Sequence, residues 1–179
     1  MGLNMVELKS KKFILRYPTM KDLQAIYDFD TESLAKKMFM SSYKNLREAK
    51  KELTKIIKVN KSKRKESEHF IVEVDGKAAG HFWLSLLAYT PKDKHKASIG
   101  FVIGKKYRGK GIGTAALKLL VNYAFKKYKL KRIATFTRTF NKASRKMFEK
   151  AGFKLEGIFR KNKYKDGKYL DDCMYTIVR

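Results

Sequence analysis

The residues with the clearest chemical potential crowd into one turn. Five of the eleven glycines fall between Gly100 and Gly113, and the run Tyr107, Arg108, Gly109, Lys110, Gly111, Ile112, Gly113, Thr114 mixes bare backbone with cations. Without β-carbons, successive amide N–H groups can converge on one anion. A helix opening there adds its unpaired N–H groups and the positive end of its dipole, while Lys105, Lys106, Arg108 and Lys110 add full charges. The ligand this suits is a pyrophosphate. The glycines at 109, 111 and 113 do not give the dinucleotide fingerprint G-x-G-x-x-G, and the G-K-[ST] ending of a phosphate loop is missing, so a nucleoside triphosphate is poorly supported. The plain alternative is a turn whose glycines let a strand and a helix pack closely.

Such a turn needs a strand before it and a helix after it. Ala97 to Ile103 reads as the strand, and Ile112, Ala116, Leu119, Leu120 and Tyr123 share one side of a helix that runs to about Tyr128, with Lys118, Asn122 and Lys126 toward water. Ile133 to Thr137 is the next strand, and the crossover is long enough for a right-handed β-α-β unit. A helix over Lys142 to Lys150, closed by Gly152, follows, with Asn141 placed to cap it and Ser144 in a packed stripe with Met147, Phe148 and Ala151. Phe153 to Phe159 and Tyr169 to Val178 give two last strands.

Upstream, Phe13 to Tyr17 reads as a strand, and Leu23, Ile26 and Tyr27 recur at helical spacing. A second helix is expected from Tyr43 to Asn60, because Leu46, Ala49, Leu53, Ile56 and Ile57 align on one face behind a lysine surface. Lys61 to Glu66 is a charged loop, and Phe70 to Val74, Asp75-Gly76 and Ala78 to Leu87 form a hairpin through an Asp-Gly turn. Helices first, then hairpin strands, then strand-helix-strand-helix-strand implies the α+β class around one mixed sheet.

A chain of 179 residues, 44% hydrophobic, matches one domain spanning 1–179 with an apolar core large enough to offset chain ordering. No stretch nears the roughly 18 to 20 apolar residues of a membrane span, and the N-terminus lacks a secretory apolar core, which points to the cytoplasm and to no membrane partner. Met1-Gly2 opens like a myristoylation signal but has Val6 where Ser or Thr is wanted, so it is set aside. Cys173 is the lone cysteine and the three histidines show no ligand spacing, so no metal is implied.

The turn also carries a family resemblance. Arg108, Gly111 and Gly113 match the acetyl-CoA loop Arg/Gln-x-x-Gly-x-Gly/Ala of the GNAT acetyltransferases. Further along, Asn141 with Ser144, the Gly152-Phe153 stretch with Glu156 and Gly157, and the segment Gly167 to Asp171 resemble the Rim branch, the ribosomal-protein N-terminal acetyltransferases and their relatives. The resemblance covers the C-terminal half well and the first third only loosely. It implies a GNAT-like, mostly antiparallel sheet with helices on both faces and a splayed β-α-β site for acetyl-CoA, the acetyl-donor cosubstrate. It also implies that backbone groups of Phe101, Val102 and Ile103 hold the pantetheine and polarise the thioester. The amides of Arg108, Gly109, Lys110, Gly111, Ile112, Gly113 and Thr114 would then bind the pyrophosphate, and Asn141 would reach the pantetheine arm.

Acetyl transfer needs a neutral amine, a stabilised oxyanion and a proton for the thiolate. Many members of the family carry a Tyr where this chain has Phe148, which cannot donate a proton; the Rim resemblance puts Ser144 in that role, one turn earlier on the same face. For the base, Glu156 and Asp171 match family positions, and Glu73 and His81 lie on expected strands.

The acceptor is read from charge. The chain has 43 Lys plus Arg against 17 Asp plus Glu, a formal net charge of +26, and ten of those cations fall between Lys44 and Lys65. In this superfamily the N-terminal helices wall the acceptor groove, and here that wall repels polyamines and attracts acidic peptide or RNA-bound protein. The expected acceptor is a protein or peptide N-terminus, ribosome-associated, with RNA nearby. The alternatives are a small-molecule amine (metabolite, polyamine or antibiotic) and a non-catalytic nucleic-acid-binding module on the same fold. Monomer and homodimer stay open.

Overall fold

A computed structural model describes residues 6–40, 42–62, 66–86 and 95–179. Its strands are β1 (Glu7–Lys9), β2 (Ile14–Arg16), β3 (Ser67–Val74), β4 (Lys77–Ser85), β5 (Lys96–Ile103), β6 (Arg132–Arg138), β7 (Lys154–Lys165) and β8 (Lys168–Val178). They form one sheet in the order β1-β2-β3-β4-β5-β6-β8-β7. Every neighbouring pair is antiparallel except β5 and β6. The helices are α1 (Leu23–Thr31), α2 (Ser33–Met38), α3 (Leu46–Lys61), α4 (Ile112–Tyr128) and α5 (Lys142–Lys150). The α+β class and the mixed, mostly antiparallel sheet stand as expected.

Two apolar layers fix which helices lie on which face. Ala116, Leu117, Leu120, Val121 and Ala124 of α4 and Phe148 of α5 are buried with Phe70, Phe82, Ile99, Ile133, Cys173 and Tyr175 of the sheet. On the opposite face Ile26 of α1 and Leu53 of α3 close over Ile71, with Leu23, Tyr43, Ile57 and Ala78 at the margin. Asn60 pins the end of α3 to β3: its Nδ2 donates to the His69 carbonyl (2.8 Å) and its Oδ1 accepts from the His69 N–H (3.0 Å).

Local signals were followed with shifts of a few residues. The second long helix starts at Leu46, not Tyr43, because the Asn45 side chain caps it by accepting from the Glu48 N–H (3.0 Å). The Asp75-Gly76 turn has φ of 49° and 71°, the left-handed pair of a tight hairpin, and Asp166-Gly167 repeats it at 49° and 76° between β7 and β8. That second turn lets β7 run to Lys165, beyond the expected Phe159. The short β1 and α2 were not expected. Residues 63–65 of the charged loop, Leu87 at the hairpin's end and the Met1-Gly2 start lie outside the described residues.

Candidate active site

The parallel pair is where the sheet opens. β5 and β6 are in register over only three residues, Lys96 with Arg132, Ala97 with Ile133 and Ser98 with Ala134. Beyond Ser98 and Ala134 the strands part, and the Thr135 hydroxyl donates to the Ile99 carbonyl (2.8 Å) at the apex. The Ile103 carbonyl, on the same edge, accepts from Arg108 Nε (2.8 Å). Backbone groups alternate sides along a strand, so Phe101, midway between Ile99 and Ile103, also turns its N–H and C=O into the gap. Val102 does the reverse: a β-carbon added to Gly80 of β4 would stand 2.7 Å from the Val102 carbonyl. Of the three expected backbone contacts, Phe101 therefore turns its groups to the gap, Ile103 gives its carbonyl to Arg108, and Val102 is turned to β4.

The gap widens into a cleft of about 640 Å³. Phe101, Val102, Ile103, Arg108, Gly109, Gly111, Gly113, Thr114, Asn141 and Ser144 all line it, while Lys110 and Ile112 of the expected set do not. Ile112 opens α4 with its side chain buried in the core. Gly109 and Gly111 have φ of 73° and 76°, where a side chain is strained whatever the space, so the turn depends on glycine at both. The first helical bond of α4 runs from the Ala115 N–H to the Gly111 carbonyl (3.1 Å), which leaves the amides of Ile112, Gly113 and Thr114 projecting from the helix start. This is an anion cradle of backbone N–H groups beside an apolar slot, and it fits a pyrophosphate followed by a pantetheine arm.

The Arg108 guanidinium was expected to add charge to the cradle. It instead grips Glu32 at the α1–α2 junction through two bonds, Nη1 to Oε1 (2.8 Å) and Nη2 to Oε2 (2.7 Å). A charge neutralised in that way is not available to a phosphate. Arg108 serves the loop as a strut to the N-terminal helices.

Asn141 caps α5, its Oδ1 accepting from the Ser144 N–H (3.2 Å), while its Nδ2 points at Met38 Sδ (3.2 Å) across the cleft. Ser144 is half-buried at the cleft wall. Phe148 is 1% exposed, with its ring 5.5 Å from those of Phe101, Phe153 and Tyr175. It is a core residue at the floor of the slot.

None of the four expected bases lines the cleft. Glu156 is corrected outright: it sits at the far end of β6, clamped by Arg132 and accepting from Thr176 Oγ1. Those bonds hold its carboxyl down at about 2, so it is ionised, occupied and remote from the gap. Glu73 pairs with Arg16 (2.5 Å), and Asp171 accepts from the Lys161 N–H (2.7 Å). His81 lies under the N-terminal helices with its Nε2 3.1 Å from His69 Nδ1, and burial, helped by His69, lowers it to about 3.

What the sequence reading missed is the face opposite α4. Phe82 and Leu84 point into the α4 core, so alternation turns Trp83 the other way, over Gly100 and toward Phe39 (ring centres 5.9 Å). Ile133 likewise faces α4, which puts Phe136 and Arg138 on the same face as Trp83, and all three line the cleft. Asp172, paired across from Arg138 on β8, binds its Nη1 at 2.7 and 2.9 Å. Among the described residues, Asp172 is the cleft's one carboxylate, against Arg108, Arg138, Lys146, Lys150 and Lys163. The signal was present in the neighbouring pair Asp171-Asp172, but which of the two faces inward is a matter of register that the sequence does not print.

A model of the acetyltransferase (GNAT) domain matches residues 12–154. The chain belongs to this family. It is similar to the uncharacterized N-acetyltransferase YnaD of Bacillus subtilis, 27% identical over 175 residues that cover 97% of each chain. Among solved structures it resembles RimL, a ribosomal L7/L12 α-N-protein acetyltransferase in complex with coenzyme A, with TM-score 0.84, 20% identity and coverage of 97% and 98% of the two chains. A second likeness is the microcin C7 self-immunity acetyltransferase MccE bound to acetyl-CoA and AMP, with TM-score 0.81, 21% identity and coverage of 95% and 94%. Both share the fold. The protein is an N-acetyltransferase, and acetyl-CoA is its donor cosubstrate. No helix among the described residues is long and apolar enough to cross a membrane.

Proposed function

We propose that the chain acetylates the α-amine of a peptide or protein N-terminus, of the ribosomal-protein kind that RimL modifies. The observation that carries this is the cleft's charge: beyond the Arg108–Glu32 and Arg138–Asp172 pairs it is lined by Lys146, Lys150 and Lys163 and, among the described residues, by no unpaired carboxylate. An α-amine titrates near 7.7–8.0, so a useful fraction is neutral at physiological pH, whereas a lysine-type or polyamine nitrogen near 10.4 is almost wholly protonated and would need a strong base. A cationic wall lowers the acceptor amine's pKa further and repels a polyamine. A water relay then suffices to remove the proton.

In the reaction the neutral amine attacks the thioester carbonyl, the carbon–nitrogen bond forms, the carbon–sulfur bond breaks, and the departing thiolate takes a proton. The backbone N–H of Phe101 is the donor aimed at the carbonyl oxygen. The amides of Gly109, Gly111, Ile112, Gly113 and Thr114 hold the pyrophosphate, and Asn141 Nδ2 reaches the pantetheine. Ser144, whose backbone is fixed by Asn141, relays the proton to sulfur. Ser144→Ala is expected to lower kcat about tenfold or more with the KM for acetyl-CoA unchanged; a serine that merely fills space would leave both alone.

Calorimetric titration of acetyl-CoA into the wild type and Gly111→Trp, followed by thiol release with peptides and with spermidine, tests the whole reading. Binding by the wild type alone, and release with peptides only, is the expected result. Release with spermidine and not with peptides would overturn the acceptor assignment.

A further inference from the structure

Arg138 is 6% exposed, and only one side of its guanidinium is fully used. Nη1 meets both oxygens of Asp172, and the second of those oxygens also accepts from Asn162 Nδ2 (2.8 Å). Among the described residues the other edge, formed by Nε and Nη2, has no such partner: there Nη2 reaches only the thioether of Met40 at 3.3 Å, a weak acceptor on a half-exposed side chain, and buried Nε has no acceptor at all. A buried guanidinium donor left unpaired is costly, and protein interiors rarely tolerate one without a reason.

The position of this edge is informative. Ser98 and Ala134 are the last paired residues of β5 and β6. Phe101 is three residues beyond the apex and Arg138 four, so at about 3.3 Å per residue both stand roughly 10 to 13 Å up the two arms of the gap. Arg138 is therefore level with the backbone group that would receive the thioester, on the side of the sheet that carries Trp83 and Phe136. Lys163 at the same cleft adds a second cation. The free Nε–Nη2 edge presents two parallel N–H donors, the geometry that a carboxylate matches with two bonds.

We propose that Arg138 reads a carboxylate close to the acceptor's amine, so that the substrates of this enzyme are acidic at or next to the acetylated residue. This rests on the acetyltransferase reading and narrows its acceptor class. The carboxylate displaces the Met40 thioether from Nη2 and satisfies Nε. Its source is the side chain of an Asp or Glu at the first two positions of a peptide, or the α-carboxylate of a free amino acid; the chemistry recognised is the same.

The test compares kcat/KM for peptides beginning Ser-Asp and Ser-Asn, for Asp-Ala and Asn-Ala, and for a free amino acid and its amide. The carboxylate member of at least one pair is expected to be favoured roughly 10- to 100-fold, the pair identifying the source. In Arg138→Lys, which keeps a cation opposite Asp172 but loses the two-donor edge, that ratio is expected to collapse toward one. The double variant Arg138→Gln/Asp172→Asn removes both charges together and guards against misfolding from an unpaired buried acid. Trp83 is the chain's single tryptophan and lines the cleft, so its fluorescence reports binding of the same peptides in the presence of coenzyme A without turnover. Equal use of acid and amide by an active wild type would overturn the proposal and leave the acetyltransferase reading intact. A preference that survives Arg138→Lys would overturn Arg138 as the reader. A wild type that transfers acetyl to no amine would sink the parent reading, and the fluorescence arm would still decide whether Arg138 holds carboxylates.

Discussion

The guanidinium of Arg108 and the amides that follow it act on different partners. The side chain holds Glu32 and the Ile103 carbonyl, so it fixes the loop's position relative to the α1–α2 junction, while the backbone beyond it faces the cleft. If Arg108 acts through Glu32, then Arg108→Gln and Glu32→Gln should raise the KM for acetyl-CoA by the same few-fold factor. The double variant should then be no worse than either single, whereas a direct phosphate contact would make only the arginine change harmful. Both groups are partly exposed, so the pair contributes about 1 kcal/mol or less to stability, and melting temperatures should move little. The histidines carry a larger pH signature. Burial lowers His69 to about 4 and His81 to about 3, below the 6.5 of an unfolded histidine. Between those values the unfolded chain binds the extra protons, so their contribution is complete above about pH 6.5 and declines as pH falls toward 4. Unfolding free energies from urea titrations are expected to drop across that window with a slope approaching about 1.4 kcal/mol per pH unit per histidine. His81→Gln should flatten the slope; an unchanged slope would place the pH sensitivity elsewhere.

Among the elements, the β5–α4 junction was legible because its requirement is local. Glycine at 109 and 111 answers to positive φ, and the amphipathic run after it can only be a helix packed on the sheet. Gly111→Val should thus abolish acetyl-CoA binding in a titration by straining the turn, although open space surrounds its β-carbon. Gly113→Ala is a different case. Its φ is ordinary and its β-carbon would meet Met147 Sδ at 2.9 Å, a flexible neighbour, so the loss of affinity should be slight. Retained binding in Gly111→Val would mean that the cradle does not depend on this backbone shape. The helix α2 was not legible, since only Ala35 of its six residues is buried and no period can be read from one position. The misplaced base has a different root: Glu156 follows a family pattern near the start of β7, and the strand order sets that start beside Arg132, at the end of β6 away from the gap. Arg138 and Asp172 meet 34 residues apart across β6 and β8, a contact set by strand order rather than by any spacing within the chain.

Over the whole molecule the charge of +26 acts in two opposed ways. Cations crowded on one compact body repel each other and oppose folding, and the same field draws anionic ligands toward the cleft. Salt screens both, since the Debye length falls from about 10 Å at 0.1 M to about 3 Å at 1 M. Raising potassium chloride from 0.05 to 0.5 M should therefore raise the melting temperature while it raises the KM for an acidic peptide. The two arms separate long-range attraction from local recognition. The buried guanidinium of Arg138 is screened little, so the ratio of acid to amide peptide should persist at high salt even as both KM values climb. A ratio that vanishes with salt would mean that the surface field, and not a built contact in the cleft, selects the acceptor.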